Sequence, residues 1–415
     1  MAYRPGMLHR IWRALPAAPR RAALARATAL LAPRPSQPAP LVPAQGFAIV
    51  AEFSRASGLG EGARLLAAGM AALGEPVWRI DAGPLLPGHS PDLPPPADPP
   101  PPPGVPLVVV VNPPVLPLTL LRLPRGLIGG RRIIGSWAWE LSRAPENWRV
   151  GLPFVHEIWV PSRYTATAME ALPLGGRAVR VVPGPLALDP PRPSGLGRTD
   201  FALPGEAVVV LVNFNLASSF ELKNPLGAIA AFRAAFGTRP DRLLVLKIGN
   251  PQHYPEDFAT LRQAAGDAAN IRFETRTLSR ADNHALMACA DIVLSLHRGE
   301  GLGLVPAEAM MLGRAVVATG YSGSMDYMDA DSAALVRYRL IAADERRRGV
   351  HRARGAQWAD PDIADAAAWL VRLAEDPALR ARMGAAAREH AAAALGLVPL
   401  RQALSAMRAA PDTDA

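Results

Sequence analysis

The sequence predicts an α/β protein made of two consecutive βαβ units, each with its own parallel sheet, facing each other across a cleft. Short apolar, β-branched runs alternate along the chain with helix-length segments carrying an apolar stripe. A proline-rich stretch splits this alternation into two halves. With 415 residues, 50% of them hydrophobic, there is material for two buried cores.

Residues 1–45 read as a basic arm. No acidic residue precedes Glu52, while arginine stands at positions 4, 10, 13, 20, 21, 26 and 34. Met7, Leu8, Ile11, Trp12 and Leu15 recur at helical spacing, as in a helix lying on an anionic membrane surface. The plainer reading, taken here, is a disordered arginine-rich extension. No run of about 18 apolar residues occurs, so no spanning helix is expected. The single cysteine, Cys289, cannot form an internal disulfide and points to a reducing compartment. Together these suggest a cytoplasmic protein whose arm can touch the inner face of the membrane.

Residues 46–185 form the first expected domain. Phe47 to Ala51 is a strand, Ser57-Gly58-Leu59-Gly60 a turn, and Glu61 to Leu73 a helix. Pro84 to Pro106 is too proline-rich for a helix or central strand. Strands resume at Leu107–Val111, Arg132–Trp139 and Glu157–Val160. Residues 186–200 are the linker. The second domain, 201–395, opens with a strand at Ala207–Val212 and a helix at Pro225–Phe236, whose stripe is Leu226, Ile229, Phe232 and Phe236. Leu243–Ile248 (strand), Pro255–Ala265 (helix) and Ile271–Glu274 (strand) follow. Ser279 caps a helix reaching Cys289. Asp291–Leu296 is a strand, Pro306–Leu312 a helix and Ala315–Ala318 a strand; alanine-rich helices run to 395 and residues 396–415 are a tail.

The chemistry concentrates after the Asp291–Leu296 strand, in His297-Arg298-Gly299-Glu300-Gly301-Leu302-Gly303, ahead of a helix with Pro306 near its start. The glycines let a ligand approach the backbone, and the helix N-terminus offers free N–H groups to an anion. Glu300 stands at the carboxyl end of a strand, where open α/β sheets bind ligands. Lys223 precedes the N-terminus of another helix, a placement suited to phosphate, and Lys247 ends the next strand. Glu140 ends a strand of the first half. Taken singly, each of these charges is as well explained by a helix dipole or a solvated surface. His297 reads as a base or as a hydrogen-bonded packing residue.

Glu300 and Glu308, with seven residues between them around the glycine turn and followed by Ala309-Met310, resemble the Glu-x7-Glu motif of the retaining family-4 glycosyltransferases. These have GT-B architecture, and Ala318 to Asp326 is similar to their bacterial polysaccharide branch. Gly58-Leu-Gly60-Glu61 resembles that family's N-terminal glycine loop, and Gly135 to Leu141 with Glu157 to Ser162 the same branch's first domain. The resemblance implies a nucleotide-diphosphate-sugar donor and a glycan or lipid-linked acceptor in surface polysaccharide or lipopolysaccharide assembly. It assigns Glu300 and Lys223 to catalysis. Donor binding falls to Gly58, Gly60, Lys223, Lys247, Arg298, Glu300, Gly301, Leu302, Gly303 and Glu308, and the acceptor side to Glu140. Ser218 stands where many members carry a diphosphate arginine, shifting that charge to Lys223, Lys247 or Arg298. No metal or other cofactor is implied, so Asp329-Ala330-Asp331 is set aside.

The net charge of +9 is compatible with nucleic acid, but aromatics are 6% and the densest basic run is an arm rather than a groove, so no nucleic-acid partner is expected. The alternatives are another GT-B enzyme, such as a sugar-nucleotide epimerase, or a non-enzymatic protein, either an inactive GT-B relative or a basic nucleic-acid binder.

Overall fold

The computed structural model describes residues 17–40, 45–86, 91–344 and 353–409. Their strands form two parallel six-stranded sheets and one hairpin. The first sheet has β1 (Phe47–Ala51), β2 (Val77–Asp81), β3 (Leu107–Val110), β4 (Ile133–Ser136), β5 (Glu157–Val160) and β6 (Val179–Val181), ordered β2-β1-β3-β4-β5-β6. The second has β7 (Val208–Asn215), β8 (Arg242–Gly249), β9 (Ile271–Glu274), β10 (Ile292–Ser295), β11 (Ala315–Thr319) and β12 (Ala334–Val336), ordered β12-β11-β10-β7-β8-β9. The antiparallel pair β13 (Tyr338–Ala342) and β14 (Gln357–Pro361) follows.

Central strands of a parallel sheet are covered on both faces and so read as unbroken apolar runs. β1 is Phe-Ala-Ile-Val-Ala with every residue buried, and β3 is Leu-Val-Val-Val, likewise buried throughout. Each valine, leucine or isoleucine so buried contributes about 1.5–3 kcal/mol. Helices cover both faces: Phe232 and Phe236 of the helix Pro225–Phe236 join Leu370 and Leu373 of Ile363–Glu375 on one side of the second sheet.

In the second sheet the strand order reverses between β7 and β10, and in the first between β1 and β3. Such switch points open a crevice at the carboxyl ends of the strands. Here the two crevices face each other.

The ends of the chain depart from expectation. Residues 1–16, with the Met7–Leu15 stripe, lie outside the described residues. Ala17–Leu31, expected to be a disordered arm, is a helix: alanine has the highest helix propensity, and Ala25, Thr28 and Ala32 supply a small-residue face that the first domain buries. Nor is the C-terminal segment a tail, at least through residue 409. The helix Leu397–Ala409 crosses to the first sheet, where Leu400, Leu404 and Met407 pack with Phe47, Ile49 and Met70. Arg408 pairs there with Glu75 at 2.7 Å.

Candidate active site

The two crevices enclose a cavity of about 500 Å³. Its first wall is the helix Gly58–Ala72 with the ends of β3 and β4, from Asn112 to Glu140; its second is the end of β7, Lys223 and the turn 300–305.

The turn is built by glycine. Gly303 has φ +89°, a conformation other residues adopt only with strain, and a Cβ there would lie 2.8 Å from the Tyr327 hydroxyl. It ends the turn and starts the helix Leu304–Met311, two residues earlier than Pro306 suggested. Leu304 and Val305, the first residues of this helix, line the cavity, and a helix N-terminus carries N–H donors without intrahelical partners. The carbonyl of Gly301 accepts a hydrogen bond from Ser162 Oγ of the first domain at 2.6 Å. A Cβ on Gly299 would sit 2.3 Å from the Glu140 carbonyl, and one on Gly301 3.1 Å from that of Trp139. The glycine turn therefore lies in backbone contact with the opposite domain. Further ties flank it: Arg163 with Asp326 at 3.2 Å, Glu61 with Arg280 at 3.0 Å, and the Tyr164 and Tyr321 hydroxyls 3.3 Å apart.

At the floor, Lys223 Nζ donates to both carboxylate oxygens of Glu300, at 2.7 and 2.8 Å, and to Glu140 Oε1 at 3.1 Å. Burial works against the ammonium charge, but the Glu140 and Glu300 carboxylates outweigh it and hold Lys223 above the ordinary lysine range. Lys223 ends the short helix Phe220–Lys223, and Asn224 behind it adopts φ +47°, caps the helix Pro225–Phe236 through Gly227 N–H and donates to the Leu296 carbonyl. That bond ties the lysine to the end of β10, which carries Glu300.

Of the expected site residues, Gly58, Glu140, Lys223, Glu300, Gly301, Leu302 and Gly303 line the cavity. Four do not. Gly60 lies in the first turn of the helix Gly58–Ala72, where a Cβ would be 2.6 Å from the Arg55 carbonyl; its smallness serves packing. Arg298 turns to the hairpin instead, 3.3 Å from Asp360 and over the Trp358 ring. Lys247 is buried on β8 beside Asn213, with no carboxylate of the described residues in an ion pair with it, and its burial depresses its pKa. Glu308 points at His284, its Oε1 3.5 Å from Nε2, while His284 Nδ1 accepts from Arg192 N–H in the linker. Ser218 does reach the cavity, together with Asn112, Ser136, Asn213, Asn215 and Ser295, which the motif reading passed over. Asn213 and Asn215 had a signal: they interrupt the apolar run of β7 at its carboxyl end.

His297 is a packing residue. It is wholly buried, its Nε2 lies 3.1 Å from the Tyr321 carbonyl and its Nδ1 3.1 Å from Ser295 Oγ. The carbonyl assigns the proton to Nε2, leaving Nδ1 to accept from the serine. Burial, opposed in part by Glu300, holds its pKa below the ordinary histidine value. The unfolded chain therefore binds the extra proton first, and stability is lost as pH falls below about 6.5. Urea unfolding of the wild type and His297→Gln at pH 7.5 and 5.5 checks this; the variant is expected to show the smaller difference.

Residues 217–345 match the family model described as Glycosyl transferases group 1. No curated protein sequence is similar to the chain. Among solved structures, Anabaena HepE in complex with UDP and glucose is 15% identical over 87% of this chain and 98% of its own, with a TM-score of 0.57. Sucrose-phosphate synthase from Thermosynechococcus elongatus is 16% identical over 88% and 98%, with a TM-score of 0.59. Against S. aureus TarM, solved with UDP, identity is 12% and the TM-score 0.50, and the chain spans 55% of that protein's length. The two facing parallel sheets, the cleft at their switch points and these likenesses give the chain the GT-B fold, with a group 1 glycosyltransferase domain matched over residues 217–345.

Proposed function

We propose that the chain is a retaining glycosyltransferase of the family-4 kind, moving a sugar from a nucleotide-diphosphate donor to the hydroxyl of a glycan or lipid-linked acceptor in bacterial surface polysaccharide or lipopolysaccharide assembly. One observation carries the donor site: a fixed ammonium, Lys223, at the floor of a cleft whose wall is the Gly301–Gly303 turn and the N-terminus of Leu304–Met311. Departure of the diphosphate is the costly step. An ammonium and a helix N-terminus already fixed at the cleft wall stabilise the charge it develops without reorganising. Both oxygens of Glu300 are engaged by Lys223, which favours a sugar-positioning role over a nucleophilic one. Retention then follows by attack on the face that the diphosphate leaves, the phosphate taking the acceptor proton. The bound UDP of HepE and TarM makes UDP-sugars the first donors to try.

The donor end is a proposal of residues as well. Lys223 and the turn hold the diphosphate and sugar, and Glu308, one turn into the helix, takes the ribose in exchange for its contact with His284. This reading assigns no metal a part. No described helix is long and apolar enough to cross a membrane.

Melting curves with UDP, GDP, ADP and their sugar conjugates test the reading. A ligand at 100 times its dissociation constant adds about 2.7 kcal/mol and raises the melting temperature visibly. Stabilisation by one nucleotide, lost in Glu308→Ala, is the expected result. A flat response from folded protein would sink the donor site.

A further inference from the structure

Lys223 carries three N–H donors, and its three carboxylate contacts use them all. A phosphate oxygen can bond Nζ only by displacing one of these oxygens. The two partners differ in how firmly they hold. Glu300 offers both oxygens, at 2.7 and 2.8 Å, from a side chain 12% exposed. Glu140 offers one oxygen at 3.1 Å from a side chain 38% exposed. The Glu140 backbone is pinned, since its carbonyl lies against Gly299 and 3.5 Å from the Tyr164 hydroxyl. Its carboxylate alone is free to swing.

We propose that Glu140 is the exchangeable partner of Lys223: a carboxylate of the first domain that occupies the phosphate position on Nζ and is displaced when a nucleoside diphosphate binds. This rests on the donor-site reading above. Glu140 is thus a positioning residue that competes with the donor for the third N–H of an ammonium whose charge Glu300 already balances. The exchange preserves charge balance at the floor, since one anionic oxygen replaces another. No covalent step is involved. Glu300 stays on Lys223 throughout, so the ammonium remains fixed while its third donor changes partner.

Calorimetric titration of the full chain with UDP, then GDP and ADP, tests this in wild type, Glu140→Gln and Glu140→Asp. Glu140→Gln removes the charge and keeps the shape; Glu140→Asp keeps the charge and withdraws the oxygen from Nζ. Losing a charged competitor is expected to tighten nucleotide binding about tenfold in Glu140→Gln, and by several-fold in Glu140→Asp. A purely structural Glu140 would give weaker or unchanged binding in both, and overturn the exchange while the wild-type titration upholds the donor site. Tightening in Glu140→Gln alone would mean simple repulsion between carboxylate and diphosphate, and also overturns it. If the folded wild type binds none of the three, the donor site itself fails and the exchange with it. Melting curves confirm that each variant is folded.

Discussion

Lys223→Ala is expected to lower turnover of the stabilising nucleotide-sugar by about 10²–10³-fold, the scale seen when a preorganised group facing developing charge is removed. Two effects add. The ammonium that meets the diphosphate is gone. The Glu300 and Glu140 carboxylates that it held, at 2.7 and 3.1 Å, are left to face one another and the diphosphate. Nucleotide affinity should therefore fall together with turnover. Stability should fall less, because Glu140 is partly exposed and water can solvate it. Lys223→Met separates the causes, since it restores the side-chain bulk against Leu222 and the turn without the charge. Nucleotide release from the donor, followed over a concentration series, reads both kcat and KM. Retention of more than a tenth of wild-type turnover in Lys223→Met would remove Lys223 from the catalytic role.

How far the sequence foretells this site depends on where side-chain direction is decided. β1, β5 and β9 and the helices Pro225–Phe236 and Pro255–Ala265 match their expected bounds residue for residue. Their apolar period and their proline or glycine boundaries are local properties. β2, β6 and the hairpin β13–β14 were not expected. β2 and β6 are short and half-buried on sheet edges, with Arg79 and Arg180 at their centres, and β13 is mostly exposed, so no apolar run marks them. The missed hairpin has a direct consequence. Arg298 reads as a phosphate ligand only while Asp360 and Trp358 are unknown; once the hairpin closes over it, its guanidinium is spent there. Lys223, Glu300 and the glycines were legible because backbone position alone aims them, at strand ends and a helix start. The contact of Glu308 with His284 was not, for His284 and the linker residue Arg192 behind it come from distant parts of the chain.

The two domains meet through backbone at Gly299, and that contact is the most easily broken. Gly299→Ala would put a methyl group 2.3 Å from the Glu140 carbonyl and 3.2 Å from Leu222 Cδ2. A backbone carbonyl cannot give way like a flexible side chain, so the turn or the whole domain must shift, at about 1–3 kcal/mol if it stays closed. Opening is the cheaper response, since an interdomain interface can part without unfolding either core. It would carry Glu140 and Ser162 away from Lys223 and Gly301, whose contacts are 3.1 and 2.6 Å. Misplacement by about 1 Å suffices to lower turnover about 10²-fold, because the cleft must hold donor and acceptor in reacting geometry. The expected signature is a loss concentrated in kcat, a larger radius of gyration in solution scattering, and a melting temperature within a few degrees of wild type. Nucleotide binding should survive, because Lys223, Glu300 and the helix N-terminus all belong to the second domain. An unchanged kcat with an unchanged radius would show that the Gly299–Glu140 contact is dispensable. A collapse in melting temperature would instead make the glycine turn part of the second domain's core.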